Sequence, residues 1–226
     1  MMLKIGNLEL GNKICITAIL DEFIPSDEVI EYKNEGVDIL EMRIDCYDKP
    51  LDKVVHYLGE IRNKVSLPMI GTVRETNENR LMRPDIFRRI IPFVDCIDIE
   101  LGSSISDEVL SVAKGKTVIV SEHDFKKTPP KTGLEDIVNR ALKQGADIVK
   151  IATMANSRND VRRLLKFTEE CEFPMVTIAM GSTGTVSRVI APLFNSLFTY
   201  GYITKPVAPG QLSVKKLLEE RQLFFS

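Results

Sequence analysis

The chain has 226 residues, a net charge of −2 and a hydrophobic content of 44%, which is enough apolar material for one large globular core. The near-neutral charge gives no electrostatic basis for binding nucleic acid or an anionic membrane. No apolar run approaches the ~18 residues of a membrane span, and the N-terminus lacks a signal-peptide pattern, so we expect a cytoplasmic protein.

The cysteines and histidines do not predict a metal site or a disulfide framework. Both histidines lie far apart in the chain, and no zinc-binding spacing occurs. The four cysteines form no C-x-x-C pair, so we interpret them as small buried hydrophobic residues in a reducing compartment. They are Cys15, Cys46, Cys96 and Cys171.

The order of strand and helix patterns predicts a barrel. Residues 2–10 predict two short strands joined by a turn at Gly6 and Asn7. Eight apolar strand candidates follow, separated by helical patterns. The candidates begin near Lys13, Asp38, Pro68, Val94, Lys116, Asp147, Pro174 and Leu197. We therefore predict a single (β/α)8 barrel domain over residues 1–226. A doubly wound open sheet is the alternative, but no G-x-G-x-x-G follows the first strand.

Two helices carry recognisable boundary signals. Ser26 is a candidate start, with Gly36 as the corresponding end. Thr132 and Glu135 match a capping box, and Gly145 matches the end of that helix. Apolar spacing also predicts the buried faces of two helices, which are Leu134, Ile137, Val138 and Ala141, and Val161, Leu164, Leu165 and Thr168.

Two reactive side chains are placed where a barrel keeps its catalytic groups, at the C-terminal ends of strands. Lys150 lies inside an apolar strand, although burying an ammonium is costly unless it is paired or neutralised. His123 follows the apolar run 117–120, where a strand passes into a loop. A lysine that attacks a carbonyl and a histidine that transfers protons would divide the chemistry between them.

Further charged side chains converge on the same end. Glu41, Arg43 and Asp45 alternate with apolar residues, and Arg74 shares a face with Thr72. We interpret Asp98 and Glu100 as structural or supporting, and His56 as a residue of a helix surface. Each charge alone has a structural explanation, such as a Glu41–Arg43 ion pair. If all of them were structural, however, one end of the barrel would hold many buried charges that no structural role explains.

Six segments together resemble type I 3-dehydroquinate dehydratase, the Schiff-base enzyme of the shikimate pathway for aromatic amino acids. They are EMRID at 41–45, TVR at 72–74, SEHDF at 121–125, VKIA at 149–152, the segment from Met180 to Arg188, and APGQ at 208–211. The resemblance implies a (β/α)8 barrel, a homodimer, no metal or organic cofactor, and 3-dehydroquinate as the substrate.

The resemblance also implies a role for each matching residue. Lys150 is the Schiff-base lysine, His123 the general acid and base, and Glu78 the residue that positions the histidine. The implied substrate-binding residues are Glu41, Arg43 and Arg74 on the hydroxyl side, Arg188 on the carboxylate, Met180 on the ring, and Gln211 on a closing loop after Pro209 and Gly210.

Two departures from the family pattern alter these expectations. Asn79 and Arg80 stand where two glycines are usual, which leaves Glu75 as an alternative to Glu78. Val207 replaces a serine and removes one hydrogen bond of the loop to the substrate.

The implied mechanism begins with attack of Lys150 on the ketone. His123, whose reference pKa lies near neutrality, then removes the adjacent proton and assists loss of the hydroxyl as water. Burial and the nearby Arg43 and Arg74 are expected to favour the neutral amine. A class I aldolase, which also uses a strand lysine in this barrel, and a non-catalytic scaffold barrel are the alternatives. The positions of His123 and Arg188 favour the dehydratase.

Overall fold

Apolar runs of four to eight residues form the eight parallel strands of the main sheet. The computed structural model describes residues 3–225. The strands of the main sheet are β3 (Cys15–Leu20), β4 (Ile39–Arg43), β5 (Met69–Thr72), β6 (Cys96–Glu100), β7 (Thr117–Asp124), β8 (Ile148–Met154), β9 (Met175–Met180) and β10 (Phe198–Tyr202). The helices are α1 (Ser26–Glu35), α2 (Leu51–Val65), α3 (Arg83–Ile90), α4 (Ser106–Val112), α5 (Lys131–Lys143), α6 (Arg158–Glu170), α7 (Ser187–Ile190) and α8 (Val214–Phe225).

The sheet closes on itself, as predicted. Strands β3 to β9 pair in sequence order, and β10 pairs with β3 on the other side. Between β9 and β10, the backbone N–H of Leu197 donates to the carbonyl of Met175 at 2.9 Å, and Met175 bridges Ser196. The (β/α)8 barrel is therefore confirmed, and the open doubly wound sheet is wrong.

The predicted hairpin covers the N-terminal end of the barrel. Strands β1 (Lys4–Ile5) and β2 (Leu8–Glu9) pair antiparallel around the turn at residues 6 and 7. Gly6 has φ +59°, a conformation that favours glycine. Ile5 is fully buried among the interior residues nearest the N-terminal ends of the strands. Met2, which belongs to the predicted hairpin, lies outside the described residues.

The predicted faces of α5 and α6 are buried, and α1 begins at Ser26 as predicted, but the capping box predicted for α5 is wrong. Helix α5 begins after Pro130 and has no side-chain cap, so Thr132 lies inside its first turn. Ser26 is the first residue of α1, and its hydroxyl donates to Glu60. In both helices the N-cap position is a proline, Pro25 in α1 and Pro130 in α5, which has a fixed φ. The predicted ends at Gly36 and Gly145 are confirmed by left-handed φ values of 114° and 93°.

The cysteines are unpaired, as expected, but they do not share one environment. Cys15 and Cys96 are buried in the barrel interior, and Cys171 is half-buried. Cys46 is exposed, so its predicted burial is wrong. It lies in the 3-10 turn that follows β4, where the chain leaves the barrel.

Side chains that point into the barrel change character from one end to the other. Near the N-terminal end the interior is apolar, and it includes Ile39, Ile70, Ile119 and Ile148. Two residues further along the same strands, the inward positions are polar, namely Glu41, Thr72, Ser121 and Lys150. The apolar layer closes the base of the barrel, and the polar layer lies above it, toward the C-terminal ends. Among the helices of residues 3–225, none has both the length and the apolar character needed to cross a bilayer.

Candidate active site

The C-terminal ends of the strands surround a cavity of about 340 Å³, which is within the range of small-molecule sites. All predicted site residues except Glu78 line it. They are Glu41, Arg43, Arg74, His123, Lys150, Met180, Arg188 and Gln211.

The amine of Lys150 lies between two carboxylates and an aromatic ring. Its Nζ is 2.8 Å from Oδ2 of Asp98 and 3.5 Å from Oε1 of Glu41. The ring of Tyr200 lies 4.1 Å away, measured to its centroid, a distance at which the ring quadrupole attracts a cation. Lys150 is only 5% exposed, so all of these interactions take place away from bulk water.

Arg43 and Arg74 have carboxylate partners of their own. Arg43 binds both oxygens of Asp45 through Nε and Nη2, at 3.1 and 2.8 Å. Arg74 lies 3.7 Å from Asp98 and 3.6 Å from Glu100. The sequence places Arg43 and Arg74 near Lys150, whereas the charged groups in contact with its Nζ are the carboxylates of Asp98 and Glu41. The alternation pattern predicts Asp45 on the strand face with Glu41 and Arg43, but β4 ends at Arg43 and Asp45 lies in the following 3-10 turn.

His123 lies one step nearer the cavity mouth than Lys150. Ser121 is the register partner of Lys150, and His123 is two residues further along β7, on the same face. Burial, followed by the positive charges of Arg74 and Lys150, lowers the pKa of His123 to about 3. The expected near-neutral pKa is therefore not found. The imidazole is instead neutral at physiological pH and able to accept a proton.

Glu78 and Glu75 both lie outside the cavity. Glu78 is exposed, and its carboxylate is held by backbone and Thr76 hydrogen bonds, which lower its pKa. Glu75 pairs with Arg83 at 3.2 Å and Arg80 at 3.6 Å. Within residues 3–225, no hydrogen bond joins either carboxylate to His123. In this arrangement Glu75 is engaged by Arg83 of α3 instead.

Arg188 is a buried guanidinium on the cavity wall, and it is only 2% exposed. Its Nε donates to the carbonyl of Gly210 at 2.9 Å, and Nη2 donates to that of Pro209 at 3.3 Å. Burial lowers its pKa to about 10. No carboxylate of residues 3–225 forms a salt bridge with it. A buried cation without a counter-charge beside a cavity suits an anionic ligand.

The loop that follows β10 folds over the cavity. Oε1 of Gln211 accepts a hydrogen bond from the backbone N–H of Val207 at 2.8 Å. Both residues and Ala208 line the cavity, as does the buried Met180 at the end of β9. The loop thus supplies a cover, and Met180 an apolar surface.

Three residues around the reactive groups are missed by reasoning from the sequence. Asp98, which the sequence indicates only as a supporting residue, contacts Nζ of Lys150 directly. Tyr200 contacts the amine, and Phe125 stacks on His123 with ring centroids 6.2 Å apart, yet neither is predicted as a site residue. Alternation along β10 and β6 is the signal that locates Tyr200 and Asp98, since both point inward. Within the described residues, no three side chains of the His, Cys, Asp or Glu type cluster as metal ligands would.

Comparison with known proteins identifies the family of this site. The model of the family described as "Type I 3-dehydroquinase" matches residues 14–225. A 3-dehydroquinate dehydratase of Methanocella arvoryzae is 38% identical over 195 residues, covering 81% of this chain and 86% of the relative. That of Methanococcoides burtonii is 35% identical over 236 residues, covering 98% and 99%.

A solved structure agrees with the sequence comparisons. The type I 3-dehydroquinate dehydratase of Clostridium difficile, solved with covalently modified comenic acid, superposes with a TM-score of 0.84 at 29% identity. The superposition covers 99% of this chain and 97% of that one. A matching family model over nearly the whole chain, together with these relatives, shows that the chain belongs to the type I 3-dehydroquinase family.

Proposed function

We propose that this chain dehydrates 3-dehydroquinate to 3-dehydroshikimate, in the shikimate pathway, through an imine between the substrate ketone and Lys150. The dehydratase (hydro-lyase) reaction is that of the family. The observation that carries the assignment of the lysine is the position of its Nζ, which is buried on the floor of the cavity and faces it.

The chemical steps balance with these residues. His123 takes one proton from the ammonium of Lys150, and the resulting neutral amine attacks C3 and forms a C–N bond. The carbonyl oxygen leaves as water with that proton and a second proton from the nitrogen, which gives a protonated imine and returns His123 to its neutral form. His123 takes the C2 proton, and the electron pair moves to the imine nitrogen. Return of that pair expels the C1 hydroxyl, which leaves as water with the proton from His123. Addition of one water to the imine then breaks the C–N bond and releases the product. The net loss is one water.

The remaining residues of the cavity fit the parts of the substrate. Arg188 is proposed to bind the carboxylate, because a guanidinium offers two parallel N–H donors and this one has no carboxylate partner within residues 3–225. Glu41, Arg43 and Arg74 are proposed to contact the hydroxyl side, and Met180 the ring. Gln211 is proposed to contact the substrate from the covering loop. Glu78 is left out of this proposal, since its carboxylate lies outside the cavity.

Borohydride reduction tests the imine. With substrate present, reduction should add the mass of the reduced ligand to a peptide containing Lys150 and abolish activity. Lys127→Arg is the matched control, because Lys127 is an exposed lysine in the loop after β7 and its loss should leave labelling unchanged. An adduct on another lysine, or no adduct, would contradict the assignment.

We also propose that the chain acts as a single-domain cytoplasmic homodimer. The dimer is inferred from the family resemblance. Sedimentation at micromolar concentration tests it, and a monomer across the accessible range would argue against it.

A further inference from the structure

Asp98 is the most deeply buried ionisable group around the reactive lysine. Its side chain has no solvent exposure, and both of its oxygens have partners. Oδ2 accepts from Nζ of Lys150 at 2.8 Å, and Oδ1 accepts from Oγ of Ser121 at 2.6 Å. Nη2 of Arg74 lies 3.7 Å from Oδ1. The carboxylate is therefore fixed in position with one oxygen directed at the amine.

Asp98 differs from the other carboxylate near the amine. Glu41 lines the cavity and lies 3.5 Å from Nζ, where it is also free to meet a substrate. Asp98 is not among the residues that line the cavity. It meets Nζ from the barrel wall, so a bound ligand does not come between the two groups.

The groups around Asp98 keep its carboxyl group ionised. Burial alone would raise the pKa of this carboxyl group. The positive charges of Lys150 and Arg74, with the hydrogen bonds from Lys150 and Ser121, outweigh burial and hold the pKa well below its usual range. Asp98 therefore stays ionised at any pH at which the enzyme would work.

We propose that Asp98 positions the amine of Lys150 and supplies a negative charge that stays beside this nitrogen, both as an ammonium and as a protonated imine. The proposal rests on Lys150 being the imine-forming residue. After condensation the nitrogen remains attached to Cε of Lys150, so its remaining N–H stays within reach of Oδ2. A fixed charge placed where a cation develops needs no reorganisation during the reaction, and it is effective in a site that excludes water. Its effect is to keep the imine protonated, which is the form that withdraws electrons from the substrate.

The protonation state of the imine nitrogen tests this role directly. Protein labelled with ¹⁵N at lysine Nζ is mixed with 3-dehydroshikimate, and the imine nitrogen is observed by NMR, since protonated and neutral imines resonate in separate regions. The wild type should show a protonated imine. Asp98→Asn keeps the size of the side chain but removes its charge. It should show a neutral imine or none, with turnover lower by roughly 10²-fold, the order found for losing one preorganised electrostatic partner.

Two further variants separate charge from structure. Asp98→Glu keeps the charge and should retain the protonated imine. Asp38→Asn is the matched control, because Asp38 is also buried and paired with one lysine and one arginine, Lys13 and Arg221, but at the other end of the barrel. It should lower thermal stability and leave the imine signal and turnover unchanged.

The outcomes distinguish this proposal from the proposed function. A wild type without an imine at Lys150 would overturn the proposed function and this proposal with it. A protonated imine in the wild type and in Asp98→Asn, with near-normal turnover in both, would overturn the role of Asp98 alone.

Ser121→Ala keeps the proposal falsifiable if Asp98→Asn does not fold. It removes the 2.6 Å hydrogen bond to Oδ1 and the 3.1 Å hydrogen bond from Nη1 of Arg74, and it leaves the charge of Asp98 in place. It should lower turnover while keeping the imine protonated. Normal turnover in this variant would contradict the positioning role.

Discussion

Arg188 donates from Nε to the carbonyl oxygen of Gly210 at 2.9 Å, so the guanidinium on the cavity wall also holds the loop over the cavity. The same loop is tied by Thr185, whose hydroxyl donates to the carbonyl of Gly210 at 3.2 Å, and by the N–H of Gly181, which donates to Pro209 at 3.1 Å. The proposed carboxylate site and the hydrogen bonds that hold the loop therefore share the side chain of Arg188. A ligand carboxylate that fixes Arg188 would also stabilise the closed loop.

Gly210→Ala should prevent this closure. Gly210 has φ +69°, and a Cβ there would clash with the carbonyl oxygen of Gly181, which is backbone and cannot move aside easily. We expect weaker product binding and a loop that proteases cut even with product present. Limited proteolysis between residues 204 and 211, with and without 3-dehydroshikimate, measures this; the wild-type loop should be protected by product.

Gly11→Ala is the control for backbone strain. Gly11 also has a left-handed φ, of 92°, but no atom lies within 4 Å of the position that an alanine methyl group would take there. It carries the conformational cost of alanine at positive φ, about 1–2 kcal/mol, without the clash. Equal protection of the loop by product in both variants would show that the close approach to Gly181 is not needed for closure.

Arg188→Lys should weaken binding of the product more than its retained charge suggests. A lysine cannot donate two parallel hydrogen bonds to a carboxylate and also hold the carbonyls of Gly210 and Pro209. We expect a loss of about 2–5 kcal/mol in binding free energy, the range for truncating one partner of a buried charge pair. Calorimetry with 3-dehydroshikimate measures it, and an affinity equal to that of the wild type would rule out the carboxylate role.

His123 should remain neutral well below the pH at which a histidine ordinarily titrates, because its pKa is lowered to about 3. The imidazole resonances of His123 should stay unchanged from pH 7 to 5. His56 is the only other histidine, so His56→Gln completes the assignment. A midpoint near 6.5 for His123 would contradict the lowered value.

The same lowered pKa predicts a pH dependence of stability. Between pH 6.5 and 3 the unfolded chain binds a proton at this histidine and the folded chain does not, so stability is lost as the pH falls through this window. His123→Gln should therefore lose stability less steeply than the wild type between about pH 6.5 and 4. Urea unfolding at several pH values measures the slopes, and His56→Gln is the control. Equal slopes for His123→Gln and the wild type would count against the shift.

The barrel is predictable from sequence because its pattern is repeated. Along each strand, side chains point alternately into and out of the barrel, so Lys150, His123 and Glu41 can be placed on one interior face from sequence alone. Glu78 cannot be placed this way, because it lies in an irregular loop whose path depends on tertiary contacts rather than on a period. The capping box at Thr132 fails for a local reason, since Pro130 occupies the N-cap position and the helix begins at Lys131.

The partners of charged groups are harder to predict than their positions. Alternation places Asp98 facing inward, but its contact with Lys150 spans β6 and β8, with β7 between them. The distance across the barrel depends on strand tilt and register, which one sequence does not provide. For the same reason, the arginines expected beside Lys150 are instead engaged by Asp45 and Glu100.

Substitutions of Lys150 and of His123 should stop the reaction at different stages. His123→Ala keeps the nucleophile, so it should still form a covalent imine, while turnover falls by roughly 10²–10⁴-fold, as for loss of a general acid and base. Lys150→Ala should form no adduct but should still bind product, because Arg188 and Gln211 are untouched. A carboxylate clamp stabilises the bound ground state, whereas the nucleophile opens a covalent route. Intact-protein mass spectra after mixing with substrate, combined with calorimetry of product binding, measure both properties. A covalent adduct in Lys150→Ala, or near-normal turnover in His123→Ala, would refute this division of roles.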